Sequence, residues 1–173
     1  TSWDWALFIG GFVPSLIFGV AVGNVLLGVP FRINDDMMIF YEGSFFALLN
    51  PFALLAGLMS VIMLAMHGCV WLCVKTTGIV AERAKKYGTL LALLTVVFYV
   101  AAGLYLWKSG LGYRITSEID PNGPSNPLFK TAVVEQGAWL ANYLRYPALW
   151  AVPALGLLSP FAVILFLWAR RPL

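Results

Sequence analysis

Charged side chains are scarce in this sequence and missing over long stretches. From position 43 to position 74 the chain reads GSFFALLNPFALLAGLMSVIMLAMHGCVWLCV, without one Asp, Glu, Lys or Arg. Charged residues make up 11% of the chain and hydrophobic residues 61%, with a mean hydropathy of +0.84. A water-soluble domain carries roughly 25% charged residues, so that class is excluded. Cysteine is limited to Cys69 and Cys73 and histidine to His67. This rules out a disulfide framework and leaves no zinc-type spacing. The chain has no GxxxxGK[ST], no GxGxxG with an acidic partner, no HExxH and no GxSxG, so nothing signals nucleotide, zinc-protease or serine-hydrolase chemistry. It also opens without an initiator Met, a basic leader or a cleavage pattern. These features predict one transmembrane domain, residues 1–173, within a longer chain.

What is present is apolar and comes in four lengths suited to a bilayer. The predicted spans are about 5–29, 51–74, 88–107 and 147–169, none containing Asp, Glu, Lys or Arg. The second sets the pattern. Asn50 is a good N-cap and Pro51 is tolerated at the first helical position. At about 1.5 Å per residue the segment reaches roughly 36 Å, enough for ~30 Å of hydrocarbon with some tilt. A core helix of a soluble protein has no reason to be apolar on every face over this length. Trp3, Trp5, Trp107, Trp139 and Trp168 fall near span ends, where an interfacial aromatic belt places them. The expected fold is all-α: a polytopic membrane helical bundle of four transmembrane helices, with a short interfacial helix in the last outer loop. That loop contains the breaker DPNGPSNP at 120–127, followed by an amphipathic pattern over 129–143 that predicts the interfacial helix. Pro14 predicts a bend in the first span, its freed carbonyl taken by a neighbour or by Ser15. Pro147, Pro153 and Pro160 predict bends or a break in the fourth.

Charge sets the orientation. The link over 30–50 has Arg32 against Asp35, Asp36 and Glu42, while the link over 75–87 holds Lys75, Arg83, Lys85 and Lys86. Arg170 and Arg171 follow the fourth span, and the long third link spreads Lys108, Arg114, Lys130 and Arg145 thinly. The positive-inside rule puts link 75–87 and the C-terminus in the cytoplasm. The net charge of +3 and pI near 9.0 thus reflect topology and give no reason to expect a nucleic-acid partner.

In the first span Gly11, Ser15, Gly19 and Gly23 recur every four residues, a ridge that lets another helix backbone come close. Leucine at Gly19 is expected to weaken assembly far more than leucine at Val20. Asn24 and His67 are the one amide and the one imidazole within the spans. Asn24 reads as an interhelical hydrogen bond or a helix end, with a ligand-headgroup contact as the other reading. His67 could serve a proton relay or ligate haem, but a neutral imidazole bonded across helices or facing the interface is favoured. A haem would need a second axial ligand, and Met59, Met63 and Met66 are weak candidates. Cys69 is turned about 160° from His67 on a helix, which excludes a His-Cys-Cys metal cluster and leaves buried, inert thiols. Asp35, Asp36 and Glu42 read as a solvated loop rather than a cation site.

Several stretches in fixed order point to a family: WDWALFIGGFVP (3–14), FVPSLIFGVAVGNVLLGVPF (12–31), FFALLNPFALLAGL (45–58), SNPLFKTAVVEQGAWLANY (125–143) and PALWAVPALG (147–156). Together they closely resemble subunit II of the cytochrome bd quinol oxidases, and the likeness covers essentially the whole chain. The resemblance implies a non-haem integral membrane subunit of a respiratory oxidase that oxidises membrane quinol and reduces oxygen to water. Haems b and d and the quinol-binding loop would belong to the partner, subunit I. This chain would support assembly in the bacterial cytoplasmic (inner) membrane, in contact with lipids and with quinone or quinol through the complex. The family's subunit II also has an N-terminal region with membrane-embedded acidic residues and further spans after the fourth. No position here matches those carboxylates, so no catalytic, cofactor-binding or metal residue is carried over. A secondary transporter and a purely structural scaffold are the other readings open on the sequence.

Overall fold

The computed structural model describes residues 1–109, 112–118 and 120–169. Arg170 and Arg171, used above for orientation, lie outside the described residues. Five α-helices dominate: α1 Ser2–Leu27, α2 Pro51–Lys75, α3 Ile79–Lys108, α4 Ala138–Arg145 and α5 Ala151–Ala169. Four segments are long and apolar enough to cross a bilayer: Ser2–Leu27, Pro51–Lys75, Ile79–Lys108 and Pro147–Ala169. The chain is therefore an all-α, multi-pass membrane protein.

The long helices stand side by side in chain order. α1 packs on α2, α2 on α3, and α3 on α5, while α5 only grazes α2. The result is an open row of antiparallel neighbours. At one end the Tyr113 hydroxyl donates to the Leu27 carbonyl (2.9 Å), and the Phe52 and Tyr105 rings meet at 5.2 Å. At the other end Cys73 Sγ lies 3.5 Å from the Ala81 carbonyl oxygen, and the Trp168 indole N–H donates to Thr89 Oγ1 at 3.2 Å. Within this row only 17%, 17%, 11% and 6% of the four span windows is buried. Most of the apolar surface faces outward, as lipid or further membrane protein would require.

Local chemistry explains the helix boundaries. Asn50 Oδ1 accepts from Ala53 N at 2.8 Å with Pro51 at the first position, so α2 starts where its cap places it. α3 begins at Ile79, well before the apolar stretch that starts near position 88. Alanine, glutamate, arginine and lysine over 81–86 are strong helix formers, so the helix carries the basic link with it. Gly28 ends α1 at φ +79°, and a Cβ there would meet the Tyr113 hydroxyl at 2.7 Å. Both the backbone conformation and the ring against it require glycine.

The links contain two small antiparallel hairpins that hydropathy alone does not predict. β1 Phe31–Ile33 pairs with β2 Ile39–Tyr41, and β3 Tyr113–Ile115 pairs with β4 Ala132–Val134. The helix expected over 129–143 is corrected: its first part is β4, where Val133 and Val134 suit a strand. Helix begins only after Gly137, which adopts φ +76°. The prolines behave unequally. Pro147 opens a short 3-10 helix, Pro147–Trp150, and Pro153 sits in the first turn of α5, where no N–H is needed. Of these three, only Pro160 lies inside the hydrogen-bond ladder, fully buried, as Pro14 lies inside that of α1.

Candidate functional site

The most constructed part of the molecule is the seam between α1 and α2. A Cβ at Gly19 would lie 2.6 Å from the Ala56 carbonyl oxygen, the Gly57 Cα and the Ser60 Cβ. One at Gly23 would lie 2.7 Å from the Ala53 Cα. The obstacles at Gly19 are chiefly backbone, so no side chain can rotate away to make room. α2 answers with its own glycine: a Cβ at Gly57 would reach Val20 Cγ2 at 2.9 Å and the Leu16 carbonyl oxygen at 3.0 Å. Two helices meeting backbone to backbone gain dispersion contacts over their length, which is the main attraction available where lipid competes for apolar surface.

The four small residues of α1 do not share one environment. Gly19 and Gly23 are buried at the seam, and Ser15 is half-buried beside them. Gly11 has nothing within 4 Å of where its Cβ would stand. The Ser15 hydroxyl donates to the Gly11 carbonyl at 2.7 Å, so it does not serve the Gly10 carbonyl that Pro14 leaves unbonded. Val20 is itself buried, 8% exposed, and cannot serve as a neutral comparison for Gly19.

Above the glycines, the seam ends in a polar knot. Asn24 is 7% exposed. Its Nδ2 donates to the Val20 carbonyl at 2.9 Å and to the Leu48 carbonyl at 2.7 Å, the latter in the 3-10 helix Phe45–Leu49 that precedes α2. Its Oδ1 accepts from Asn50 Nδ2 at 3.0 Å, and Asn50 Oδ1 caps α2 through Ala53 N. Both amide hydrogens of Asn24 are used on carbonyls, and one amide reaches the next across the helix gap. No buried side-chain nitrogen or oxygen among the described residues lacks a partner. The knot is closed chemistry that aligns the end of α1 with the start of α2.

His67 stands apart from this seam. It is exposed on α2, next to exposed Leu64 and Gly68, on a face that no helix among the described residues covers. Cys69 turns toward α3, where a Cβ at Gly88 would approach Cys69 Cβ at 3.0 Å. Met66 also turns inward, its sulfur 4.0 Å from Thr95 Oγ1. No group of three or more His, Cys, Asp or Glu side chains that could hold a metal occurs among the described residues. Glu42 pairs with Arg32 at 3.1 Å across the β1–β2 hairpin.

Three features of the packing go beyond what the sequence pattern predicts. Asn50, expected as a cap, is also the partner of Asn24. The small residues of α2, Ala53, Ala56, Gly57 and Ser60, form the complementary surface, and their spacing of four was readable. α3 has a similar ridge in buried Ala84, Gly88 and Ala92, with buried Thr95 donating to the Leu91 carbonyl.

A family model described as cytochrome bd terminal oxidase subunit II matches residues 1–173. The "probable cytochrome oxidase subunit 2" of Haemophilus influenzae is 47% identical over 169 residues, 98% of this chain and 44% of the relative. The "cytochrome bd-I ubiquinol oxidase subunit 2" of Escherichia coli K12 is 45% identical over 163 residues, 94% of this chain and 43% of the relative. The "cytochrome bd ubiquinol oxidase subunit 2" of Bacillus subtilis is 30% identical over 84 residues, 49% of this chain. The chain spans less than half the length of these curated relatives.

Two outcomes follow from the seam. Gly19→Ala, in the complete subunit with its partners, should destabilise the assembly by about 1–3 kcal/mol through overpacking, whereas Gly11→Ala should leave the thermal unfolding midpoint nearly unchanged. Equal losses from the two would contradict the packing described. Asn24→Asp turns a two-bond donor into an oxygen facing two carbonyls, and should cost more than the ~1–3 kcal/mol of an ordinary unsatisfied buried polar group. Yield and thermal stability matching those of the unsubstituted protein would show that the knot carries no weight.

Proposed function

Because this chain belongs to the cytochrome bd terminal oxidase subunit II family, we propose that it acts as a non-haem membrane subunit of a quinol oxidase, its residues 1–173 forming one transmembrane unit. The observation that carries this reading is the match to the family over every residue, with 47% and 45% identity to two relatives. In such a complex two quinols would each give up two electrons and two protons, and one oxygen molecule would take four of each to form two waters. No step of that chemistry is assigned to a residue of this chain. Its residues pack, span and hold the complex together.

The residues fit a haem site poorly. His67 is the single imidazole of the sequence and lies exposed on an uncovered face, while the neighbouring Met66 sulfur is turned toward Thr95. Met63, the candidate one turn from His67, lies on the same helix, whereas two axial ligands must approach an iron from opposite sides. We therefore assign haems b and d to the partner, subunit I. Membrane lipids are direct neighbours of this chain, and quinone or quinol meets it through the complex. His67 and the outward faces of the four spans are then contact surface for lipid or partner helices. The uneven distribution of basic residues supports a place in the bacterial cytoplasmic membrane with link 75–87 and the C-terminus inside. A transporter is disfavoured because the spans carry no carboxylate at depth and the polar knot is fully bonded.

Purifying the complete subunit with whatever it binds and recording a reduced-minus-oxidised absorption spectrum tests the assignment. Haem bands in the co-purified complex are expected; a preparation without any haem-bearing partner would sink it. Orientation is checked with single cysteines in a Cys69→Ser, Cys73→Ser background. Asn122→Cys should react with an impermeant maleimide in intact spheroplasts, and Thr77→Cys only after permeabilisation. The reverse pattern would invert the topology.

A further inference from the structure

The formal net charge of the whole chain is +3, and the short segment 75–87 accounts for all of it: Lys75, Arg83, Lys85 and Lys86 stand against Glu82 alone, and elsewhere acids and bases cancel. This segment lies at one end of the helix row, where α2 stops, α3 starts and α5 stops. Two of its four cations rest against aromatic rings. Lys75 Nζ lies 5.1 Å from the centroid of Trp71, one turn back on α2, and Lys85 Nζ lies 4.3 Å from that of Trp168 on α5. Trp168 is anchored in turn, its indole N–H donating to Thr89 Oγ1 at 3.2 Å. Arg83 and Lys86 are exposed on the outward side of the first turns of α3. None of the four cations forms a salt bridge with a carboxylate among the described residues.

Indole rings favour the membrane–water boundary, and an ammonium stacked on one is kept at that level instead of reaching freely into water. The apolar surroundings point the same way. Trp71, Ile79, Val80 and Trp168 are all more than half exposed at this end, a surface that water disfavours and acyl chains satisfy. A free phosphate ion would have no use for that surface, whereas a phospholipid meets both parts with its two halves. The start of α3 adds the positive end of its dipole, since Gly78 caps it without a side chain.

We propose that Lys75, Arg83, Lys85 and Lys86, framed by Trp71 and Trp168, form a contact surface for the headgroups of anionic phospholipids. Attraction to anionic lipid accumulates with each basic residue near the surface and weakens with salt, so four cations and one acid make a distinct local preference. Lys85 joins α5 to α3 through Trp168; the other three cations can be changed without touching that contact.

The test uses the complete oxidase complex in detergent, with retained lipid counted by native mass spectrometry after adding phosphatidylglycerol or phosphatidylcholine. Phosphatidylglycerol should be retained at least fivefold over phosphatidylcholine at low ionic strength, the preference shrinking as salt is raised. The Lys75→Gln, Arg83→Gln, Lys86→Gln variant should retain at least one phosphatidylglycerol fewer, and the corresponding Lys75→Arg, Lys86→Arg variant should keep it. Because removing charge can disturb insertion, the salt dependence of the unsubstituted complex is an independent arm. Equal retention of the two lipids by that complex, an unchanged phosphatidylglycerol count in the glutamine variant, or displacement by millimolar inorganic phosphate would each overturn the proposal.

Discussion

The structure depends first on the backbone approach of α1 to α2. Gly19 and Gly23 let the second helix come to where a methyl group would otherwise stand, and Gly57 concedes the same space from the other side. In water, burying leucine would hold two such helices together. In a bilayer the alternative to a helix neighbour is equally apolar lipid, so shape and hydrogen bonding decide. The seam supplies both: close contact along its length and, at its end, the Asn24–Asn50 pair. The pair fixes register, because Asn24 can reach Leu48 and Asn50 at 2.7 and 3.0 Å only when α1 ends level with the start of α2.

From that seam the rest follows as a row. α3 lies along the other side of α2, its Gly88 against Cys69 and its Thr95 against Met66, and α5 is added to α3 through a few specific bonds. The Tyr99 hydroxyl donates to the Pro153 carbonyl at 3.3 Å near the start of α5, and Trp168 reaches Thr89 at its far end. The row does not close on itself, which leaves broad apolar faces for lipid or other membrane helices. Under the proposed assembly role such faces are what the chain needs, together with few ionisable groups at depth. His67 is exposed on one of them, and no group of three or more His, Cys, Asp or Glu that could hold a metal occurs among the described residues.

The span cores and family motifs were legible in the sequence because a bilayer demands long uncharged runs and little else mimics them. The early start of α3 was not, since helix propensity and not hydropathy extends it through Arg83 and Lys86. The hairpins escaped because strands of three residues in polar links leave no periodic trace. At the seam, a spacing of four marked Gly11, Ser15, Gly19 and Gly23 alike. Only the partner surface distinguishes the crowded Gly19 from the open Gly11, and a single helix pattern holds no information about its partner. Val20 shows the same limit: its neighbour Gly57 makes it part of the contact. Asn24 was recognisable as polar at depth, but its bonds depend on where Leu48 and Asn50 fold.

The most direct measurement is a double-substitution cycle on the shared contact, Gly19→Ala with Gly57→Ala, following thermal unfolding of the complete subunit in its complex. If both glycines serve one backbone approach, the first added methyl already separates the helices. The double variant should then lose clearly less stability than the two single losses added together, with a coupling of about 0.5 kcal/mol or more. Losses that simply add would mean the two positions act independently, and the close α1–α2 seam would not be the constraint on which this fold rests.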